Sequence, residues 1–360
     1  MDVFDCRTKI VSGGGAVNCL ADFGARRLFL VTDPYFYKNG MAQRVADCAK
    51  ADKVEIFHDI RPDPTVELAA EGTARLKAFA PDLIVALGGG SAMDCAKAMA
   101  FFAKGDAKLV AIPTTSGSGS EVTDFAVLTH NKVKHPLVDK RMRPSMAILD
   151  SDFLQEMPPS LIADTGFDVI THAVEAFVAS GAGTFSDMLA QEAFRCAYGA
   201  LPASFAGRRD VRLKVHQAAT MAGMAFTQAG LGLCHAMAHS LGGMFHVSHG
   251  QLNAVLLPSV VATNAHVATG KYALLARSCG MGSTADTIAV RNLRNSLVRL
   301  RRELKLPETL AQAGIAPGAL RRAMNDVVSA TLSDPCCKTN PMKVEDFLVR
   351  RILEEVTGRV

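Results

Sequence analysis

DLIVALGGGSAMDCAKAMAFFA, residues 82–103, is the stretch that decides the fold. Residues 83–87 are apolar at every position, which is typical of a strand buried on both faces of a sheet. The run leads directly into three glycines, residues 88–90, and Ser91 then opens a segment of alanine and methionine with helical patterning. A buried strand, a glycine turn and a helix in this order indicate one βα unit of a parallel sheet.

Similar runs of β-forming residues occur on both sides of this unit and alternate with helical patterns. They are RRLFLVTD at 26–33, KVEIFHDI at 53–60, LVAIPTT at 109–115 and MAILD at 146–150. Strands that alternate with helices favour a parallel arrangement with helices on both faces. We therefore predict a doubly wound, mostly parallel α/β domain.

The second half of the chain has a different pattern. After about residue 158 the β signal stops, and long stretches rich in alanine, leucine and methionine follow, some of them apolar on nearly all sides. Pro158 and Pro159 mark the change, because a proline pair interrupts both helix and strand. We expect an α/β domain over residues 1–157 and an all-helical domain over residues 158–360.

Composition excludes several classes of protein. With 360 residues, 49% of them hydrophobic and 21% charged, the chain is too apolar to be disordered, and a dispersed net charge of +4 argues against a nucleic-acid partner. No apolar run reaches the roughly 20 residues of a membrane-spanning helix. Nine scattered cysteines without a CxxC pair indicate reduced thiols rather than a disulfide framework. We expect a cytoplasmic protein.

Two glycine-rich loops follow successive predicted strands. The glycines at 88–90 let the backbone approach a ligand closely, and the N–H groups at the start of the next helix favour an anion such as a pyrophosphate. PTTSGSGSE, residues 113–121, adds hydroxyl groups at the carboxyl end of the next strand. Either loop alone is as easily a packing feature, but together they favour a dinucleotide.

Asp33 ends the run RRLFLVTD. From that position an acidic side chain can accept hydrogen bonds from the adenosine ribose and repel a 2′-phosphate, which would favour NAD over NADP. The alternative interpretation is that Asp33 caps the helix that follows.

Histidines and one aspartate are concentrated in two helical segments. Asp168 and His172 are spaced i, i+4 in FDVITHAVEAF, and His235 and His239 repeat that spacing in LGLCHAMAHSLGGMFHVSHG, with His246 and His249 beyond a glycine-containing bend. For any single histidine here, a hydrogen-bonded core residue is the better interpretation. Several polar residues on apolar helices would cost on the order of a few kcal/mol each unless they share a partner. A divalent ion such as Fe, Zn, Ni or Co suits these ligands, and spacing leaves open which of the later histidines bind it.

In their order along the chain, these segments resemble the iron-containing alcohol dehydrogenase family. The motifs that carry the resemblance are the glycines at 13–15, GGGSAMDCAKA, IPTTSGSGSEVT, DVITHAVEA and HAMAHSLGGMFHVSHG. The resemblance implies a dehydroquinate synthase-like architecture, in which a nucleotide-binding α/β domain precedes an all-helical metal domain and the active site lies in the cleft between them.

The resemblance also implies roles for individual residues. The metal ligands are Asp168, His172, His235 and His249, the ion is Fe²⁺ with Zn²⁺ or Ni²⁺ as alternatives, and His239 passes protons beside the nicotinamide. The residues that bind NAD(H) are Asp33, Gly88, Gly89, Gly90, Ser91, Thr114, Thr115, Ser118 and Lys134. Asp63 departs from the family pattern, which frequently has Asn at this turn.

The short connector between residues 94 and 109, the segment TMAGMAFTQAGLGL and the turn at Thr339–Asn340–Pro341 are most similar to propanol dehydrogenases of propanediol- and ethanolamine-utilisation systems. This similarity implies interconversion of propanal or acetaldehyde with its alcohol, with NADH recycled to NAD. A homodimer is expected, as are a bacterial microcompartment location and shell or cargo proteins as partners. Two alternatives are a metal- and NAD-dependent lyase of the dehydroquinate synthase type and a non-catalytic microcompartment protein.

Overall fold

The chain forms two compact units in the computed structural model, which describes residues 4–130 and 133–358. One unit comprises Asp5–Met157, and the other begins at Pro158 and includes Phe4. The change from one unit to the other coincides with the proline pair.

A parallel sheet forms the centre of the first unit. Its strands are β1 (Lys9–Ser12), β2 (Arg27–Val31), β3 (Lys53–Phe57), β4 (Leu83–Gly88), β5 (Lys108–Pro113) and β8 (Met146–Leu149). They lie in the order β1-β8-β5-β4-β2-β3, and every pairing in this sheet is parallel. The predicted α/β class is confirmed.

Helices cover both faces of this sheet. They are α1 (Pro34–Lys38), α2 (Met41–Ala49), α3 (Val66–Phe79) and α4 (Gly90–Ala103), with a 3₁₀ helix at Ala16–Phe23. Alternate residues of β2 point to opposite faces, so Leu28 and Leu30 join a core with α2, while Phe29 and Val31 join a core with α3 and α4. The sheet is therefore doubly wound, as predicted.

Three strands of the first unit were not predicted. β1 is a four-residue, half-exposed edge strand, and its sequence KIVS carries little apolar signal. The other two form a separate antiparallel hairpin, β6 (Phe125–His130) and β7 (Val133–Val138). Pro136 and the polar pair Lys134–His135 in β7 hide the hairpin from pattern analysis, because proline and polar residues are typical of loops and strand edges.

The second unit is entirely helical, as predicted. Its helices are α5 (Pro159–Val178), α6 (Thr184–Phe205), α7 (Arg212–Ala229), α8 (Leu233–Phe245), α9 (His249–Ser278), α10 (Asp286–Glu303), α11 (Pro317–Ser333) and α12 (Asp346–Val356). α5 is buried without interruption from Gly166 to Val178. No helix among the described residues is long and apolar enough to cross a membrane.

Candidate metal centre and nucleotide loops

Three helices of the second unit bring four predicted ligands together. α5 supplies Asp168 and His172 from its buried face, α8 supplies His235, and His249 is the first residue of α9. Oδ1 of Asp168 lies 3.4 Å from Nε2 of His249, 3.6 Å from Nε2 of His235 and 3.9 Å from Nε2 of His172. One carboxylate oxygen therefore faces three imidazole nitrogens.

A glycine sets the position of His249. A Cβ at Gly250 would lie 2.0 Å from the backbone oxygen of Asp164, so only glycine lets the first turn of α9 approach the backbone of α5 this closely. The side chain of His249 is thereby brought to Asp168, one turn further along α5. The DTGFD segment of α5, residues 164–168, and the HG pair of α9, residues 249–250, therefore pack against each other.

The spacing of these atoms fits a metal ion. Separations of 3.4–3.9 Å are too long for hydrogen bonds. They are close to the edge of about 3.4 Å in a tetrahedron with bonds of about 2.1 Å, the length of a Zn–N bond. Nε2 of His235 is buried and has no hydrogen-bond partner among the described residues. Burying a polar nitrogen without a partner costs free energy, and a cation bound by these atoms would remove that cost.

Glu175, which the sequence reading did not select, fixes the orientation of His235. Its Oε2 lies 2.7 Å from Nδ1 of His235 and also accepts from the backbone N–H groups of Gly232 and His235, while its Oε1 accepts from Cys234 N. An ionised carboxylate only accepts, so Nδ1 carries a proton, and Nε2, which faces Asp168, is the nitrogen that can bind an ion. Nδ2 of Asn253 likewise donates to Oδ1 of Asp168 at 2.8 Å.

The electrostatics of the cluster favour a cation. Burial opposes ionisation of Asp168, but His172, His249 and His235 outweigh it and lower the pKa of this carboxyl far below its usual range. Burial also opposes the charged form of His235, yet Asp168 and Glu175 raise the pKa of this imidazole to about 9. For His249, burial and the neighbouring imidazoles lower the pKa well below its ordinary value. Two buried carboxylates thus demand positive charge beside them, which a metal ion supplies.

His239 lies beside this cluster with a different set of partners. Its ring stacks on that of His249 with centroids 5.2 Å apart, and its side chain is 41% exposed. Nδ1 of His239 lies 2.9 Å from Oδ2 of Asp334, which leaves Nε2 free to exchange a proton. His246 ends α8 in the left-handed conformation with φ 56° and an exposed side chain, outside the converging ligand set.

The two predicted nucleotide loops lie against each other in the first unit. A Cβ at Gly89 would lie 3.2 Å from Oγ1 of Thr115, and a Cβ at Gly90 would lie 3.2 Å from Oγ of Ser118. Thr114 N donates to the backbone oxygen of Gly88, which has a φ of +152°. Ser91 lies in the first turn of α4, and the N-terminal end of a helix favours an anion.

Asp33 caps α1, as the alternative interpretation predicted. Its Oδ1 accepts from Tyr35 N at 2.8 Å and from Phe36 N at 3.1 Å. A Cβ at Gly88 would lie 3.8 Å from Oδ2 of Asp33, so the second oxygen lies beside the glycine turn. One oxygen caps the helix while the other lies beside the glycine turn, and the ribose contact stays a prediction.

Lys134, on β7, is held by the residue that departs from the family pattern. Nζ of Lys134 lies 2.7 Å from Oδ1 of Asp63, and both side chains are largely exposed. Asp63 has a φ of 55°, a left-handed conformation that Asn and Asp adopt more readily than other residues. The Asp63 carboxylate thus forms an ion pair with Lys134 that the uncharged Asn of the family pattern could not form.

A buried lysine that the sequence reading missed joins the two loops. Lys97 on α4 is fully buried, and its Nζ donates to Oγ of Ser120, Oγ1 of Thr123 and the backbone oxygen of Phe125. Asp94, one turn earlier, accepts from Ser120 Oγ and from Val127 N. α4, which begins at the first loop, is thereby fastened to the end of the second.

The order of a parallel α/β unit and an all-helical unit defines the dehydroquinate synthase-like architecture. A family model described as iron-containing alcohol dehydrogenase matches residues 7–151, and one described as the C-terminal part of the Fe-containing alcohol dehydrogenase family matches residues 162–357. The chain belongs to the iron-containing alcohol dehydrogenase family. It is therefore an oxidoreductase, and membership implies NAD(H) and a divalent metal, typically iron.

Individual members of this family are similar to the chain over nearly the full length of both sequences. The chain is 37% identical to a 1-propanol dehydrogenase PduQ of Salmonella typhimurium, covering 99% of this chain and 100% of the relative. It is 33% identical to an NADPH-dependent butanol dehydrogenase of Clostridium saccharobutylicum, covering 98% and 97%. An iron-containing alcohol dehydrogenase structure from Thermococcus thioreducens superposes with a TM-score of 0.92 at 31% identity, covering 98% and 99%.

Proposed function

We propose that this alcohol dehydrogenase transfers hydride between NAD(H) and a short-chain aldehyde or its primary alcohol, and that it depends on Fe²⁺ or a similar divalent ion. The observation that supports the metal dependence is the cluster in which a carboxylate oxygen of Asp168 lies 3.4–3.9 Å from the Nε2 atoms of three histidines, His172, His235 and His249. Glu175 holds Nδ1 of His235, and the buried Nε2 of the same ring has no hydrogen-bond partner among the described residues, so a cation there would give this nitrogen a partner.

The metal ligands, the glycine turn and His239 have separate roles in this mechanism. A divalent ion in the site supplies Lewis acidity toward the substrate oxygen. Asp168 and the three histidines would hold that ion, and Glu175 keeps the ring of His235 in the required tautomer. The glycine turn at residues 88–90 binds the pyrophosphate through backbone N–H groups and so orients the nicotinamide. His239 accepts or returns a proton at Nε2 while Asp334 holds Nδ1–H.

We propose NAD(H) rather than NADP(H) as the cofactor. Oδ2 of Asp33 lies beside the glycine turn, and its negative charge disfavours a 2′-phosphate at the adenosine ribose. The Clostridium saccharobutylicum relative is described as NADPH-dependent, so family membership does not decide between the two cofactors. The charge at position 33 is therefore the basis of this part of the proposal.

We propose propanal or acetaldehyde as substrate and recycling of NADH to NAD as the physiological direction. The support is similarity over the full length to 1-propanol dehydrogenases of Salmonella typhimurium and Citrobacter freundii, at 37% and 36% identity. The same similarity supports a homodimer that works inside or near a bacterial microcompartment. Equilibrium sedimentation and co-purification with shell proteins test these two parts separately.

The central experiment measures NADH oxidation under anaerobic conditions with straight-chain aldehydes of increasing length. Protein freed of metal by a chelator is assayed alone, with Fe²⁺ and with Zn²⁺. We expect activity only after metal is restored, with a preference for aldehydes of two to four carbons. Full activity of verified metal-free protein would contradict the proposal. A lyase of the dehydroquinate synthase type would show no net consumption of NADH.

A further inference from the structure

A second group of metal-binding side chains lies on the other side of the His239 ring. A ring nitrogen of His239, a carboxylate oxygen of Asp334 and Sγ of Cys336 all lie within 4.8 Å of one another. The ring nitrogen that faces Asp334 is Nδ1, which lies 2.9 Å from Oδ2. The first cluster uses Nε2 atoms of three other histidines, so the two groups share no atom. The His239 side chain is 41% exposed and that of Asp334 is 14% exposed, and Cys336 is partly buried, so the second group is partly open to solvent.

Local backbone structure builds this group. Asp334 caps the 3₁₀ helix at Pro335–Thr339, and its Oδ1 accepts from Cys336 N at 2.8 Å. The same carboxylate accepts a hydrogen bond from the Cys336 thiol and, through Oδ2, a second one from Nδ1 of His239. The next residue, Cys337, turns away, and its Sγ contacts the backbone oxygen of Thr331 at 3.0 Å. Two adjacent thiols therefore have different environments.

We propose that His239, Asp334 and Cys336 form an inhibitory site for a soft or borderline divalent cation, Zn²⁺ or Cd²⁺. One imidazole nitrogen, one carboxylate oxygen and one thiolate match the ligands that Zn²⁺ prefers in proteins, and solvent can occupy the fourth position. Bonds of about 2.0–2.3 Å require ligand separations of about 3.5 Å. The 2.9 Å contact between Nδ1 of His239 and Oδ2 of Asp334 therefore opens slightly as two bonds to the ion replace its hydrogen bond.

Binding changes the protonation of two ligands and balances in charge. The Cys336 thiol releases its proton to solvent as sulfur binds the ion. The proton on Nδ1 of His239 must leave that nitrogen, and it reappears on Nε2. A dication held by one thiolate, one carboxylate and one neutral imidazole carries no net charge, so little charge is left without compensation.

The relocated proton explains the inhibition. In the proposed mechanism Nε2 of His239 accepts a proton, which it cannot do once it carries N–H and Nδ1 is bound to a cation. Metal binding at this site does not depend on the proposed function, but its inhibitory effect does. The two statements can therefore fail separately.

The binding test uses Cd²⁺ without NADH or aldehyde. A sulfur-to-cadmium charge-transfer band reports only sites with a cysteine ligand, and the Asp168 cluster has none. We expect the band to saturate with one equivalent beyond the Cd²⁺ that the Asp168 cluster takes up, in the wild type and in the matched control Cys337→Ser, and to be lost in Cys336→Ser. Cys336→Ala serves as a second variant, and urea unfolding shows whether each variant is folded. A band of wild-type size in both Cys336 variants, or no band in the wild type, would overturn the site.

The inhibition test adds Zn²⁺ to enzyme already loaded with its active metal. We expect Zn²⁺ to inhibit the wild type and Cys337→Ser alike. Cys336→Ser should keep its basal activity and need at least about tenfold more Zn²⁺ for the same inhibition. Equal sensitivity of the two cysteine variants would overturn the inhibitory role. Absence of any alcohol dehydrogenase activity in the wild type would instead count against the proposed function and leave the cadmium result intact.

Discussion

Replacing Glu175 with Gln should weaken metal binding without removing any metal ligand. The four N–H groups that surround this carboxylate all donate to it, at 2.7–3.2 Å. An amide offers one oxygen and one NH₂, so one of the four donors meets another donor, at a cost of about 1–3 kcal/mol. The remaining bonds lose their charge assistance, including the one that fixes the tautomer of His235.

The expected magnitude follows from these contacts. Loss of an outer carboxylate partner of a ligating histidine lowers metal affinity about 10- to 100-fold, which is about 1.4–2.7 kcal/mol. The metal-free protein should also lose about 2–4 kcal/mol of unfolding free energy from the disturbed start of α8. The control is Glu192→Gln, because Glu192 forms an exposed pair with Arg195 on α6 in the same unit. It should change either quantity by less than about 1 kcal/mol.

Two measurements separate these effects. Competition with a coloured chelator gives the affinity for Co²⁺ or Zn²⁺, and urea unfolding of metal-free protein followed by circular dichroism gives stability. If Glu175→Gln lowers stability but binds metal within twofold of the wild type, Glu175 acts only as a helix cap and the reasoning about His235 fails.

Three further changes test other parts of the site. Asp33→Asn keeps a capping side chain but removes the charge, so the ratio of kcat/KM for NADH to that for NADPH should fall. Asp33→Ala should lower the same ratio and in addition cost about 1 kcal/mol of stability. An unchanged ratio in both variants would exclude Asp33 from cofactor selection. Lys97→Met should raise the Kd for NADH in a fluorescence titration, because the two loops lose their link. Burial lowers the pKa of Lys97 from its ordinary value of 10.5 to about 8. Between these two values the unfolded chain holds a proton that the folded chain has lost, so the wild type should gain about 1.4 kcal/mol of stability per pH unit that Lys97→Met does not gain. His239→Ala should lower kcat and alter its pH profile while metal content stays at the wild-type level, and an unchanged profile would remove its proton-transfer role.

The sequence predicted the centre of the sheet because each buried strand is a continuous apolar run, as in residues 83–87. It did not predict β1 or the β6–β7 hairpin, because edge and hairpin strands are half-exposed and carry polar residues and proline. Pairing with a neighbour, rather than local composition, makes those segments strands.

Part of the candidate metal site could be predicted from the sequence, because several of its residues share one face of a helix. Asp168, His172 and Glu175 lie at i, i+4 and i+7 on one face of α5, so helical spacing alone could also have identified Glu175. Spacing could not choose His249 over His246, since that depends on the left-handed end of α8 and on the close approach at Gly250.

Two other members of the site carry no local signal at all. Asp334 reaches His239 across 95 residues of sequence. Lys97 reaches Ser120 and Thr123 through a turn between strands that a linear pattern does not describe. Contacts of this kind depend on tertiary packing and become visible only in the folded chain.

The close approach at Gly250 bears on any attempt to redesign this enzyme. A substitution there would push α9 away from Asp164 and carry His249 with it, so a mutational library that varies this position would lose metal before it explored new substrates. Libraries that fix Gly250 and vary side chains beyond the converging ligands would keep the metal cluster intact. One missing methyl group thus sets the boundary between the part of the site that can be altered and the part that cannot.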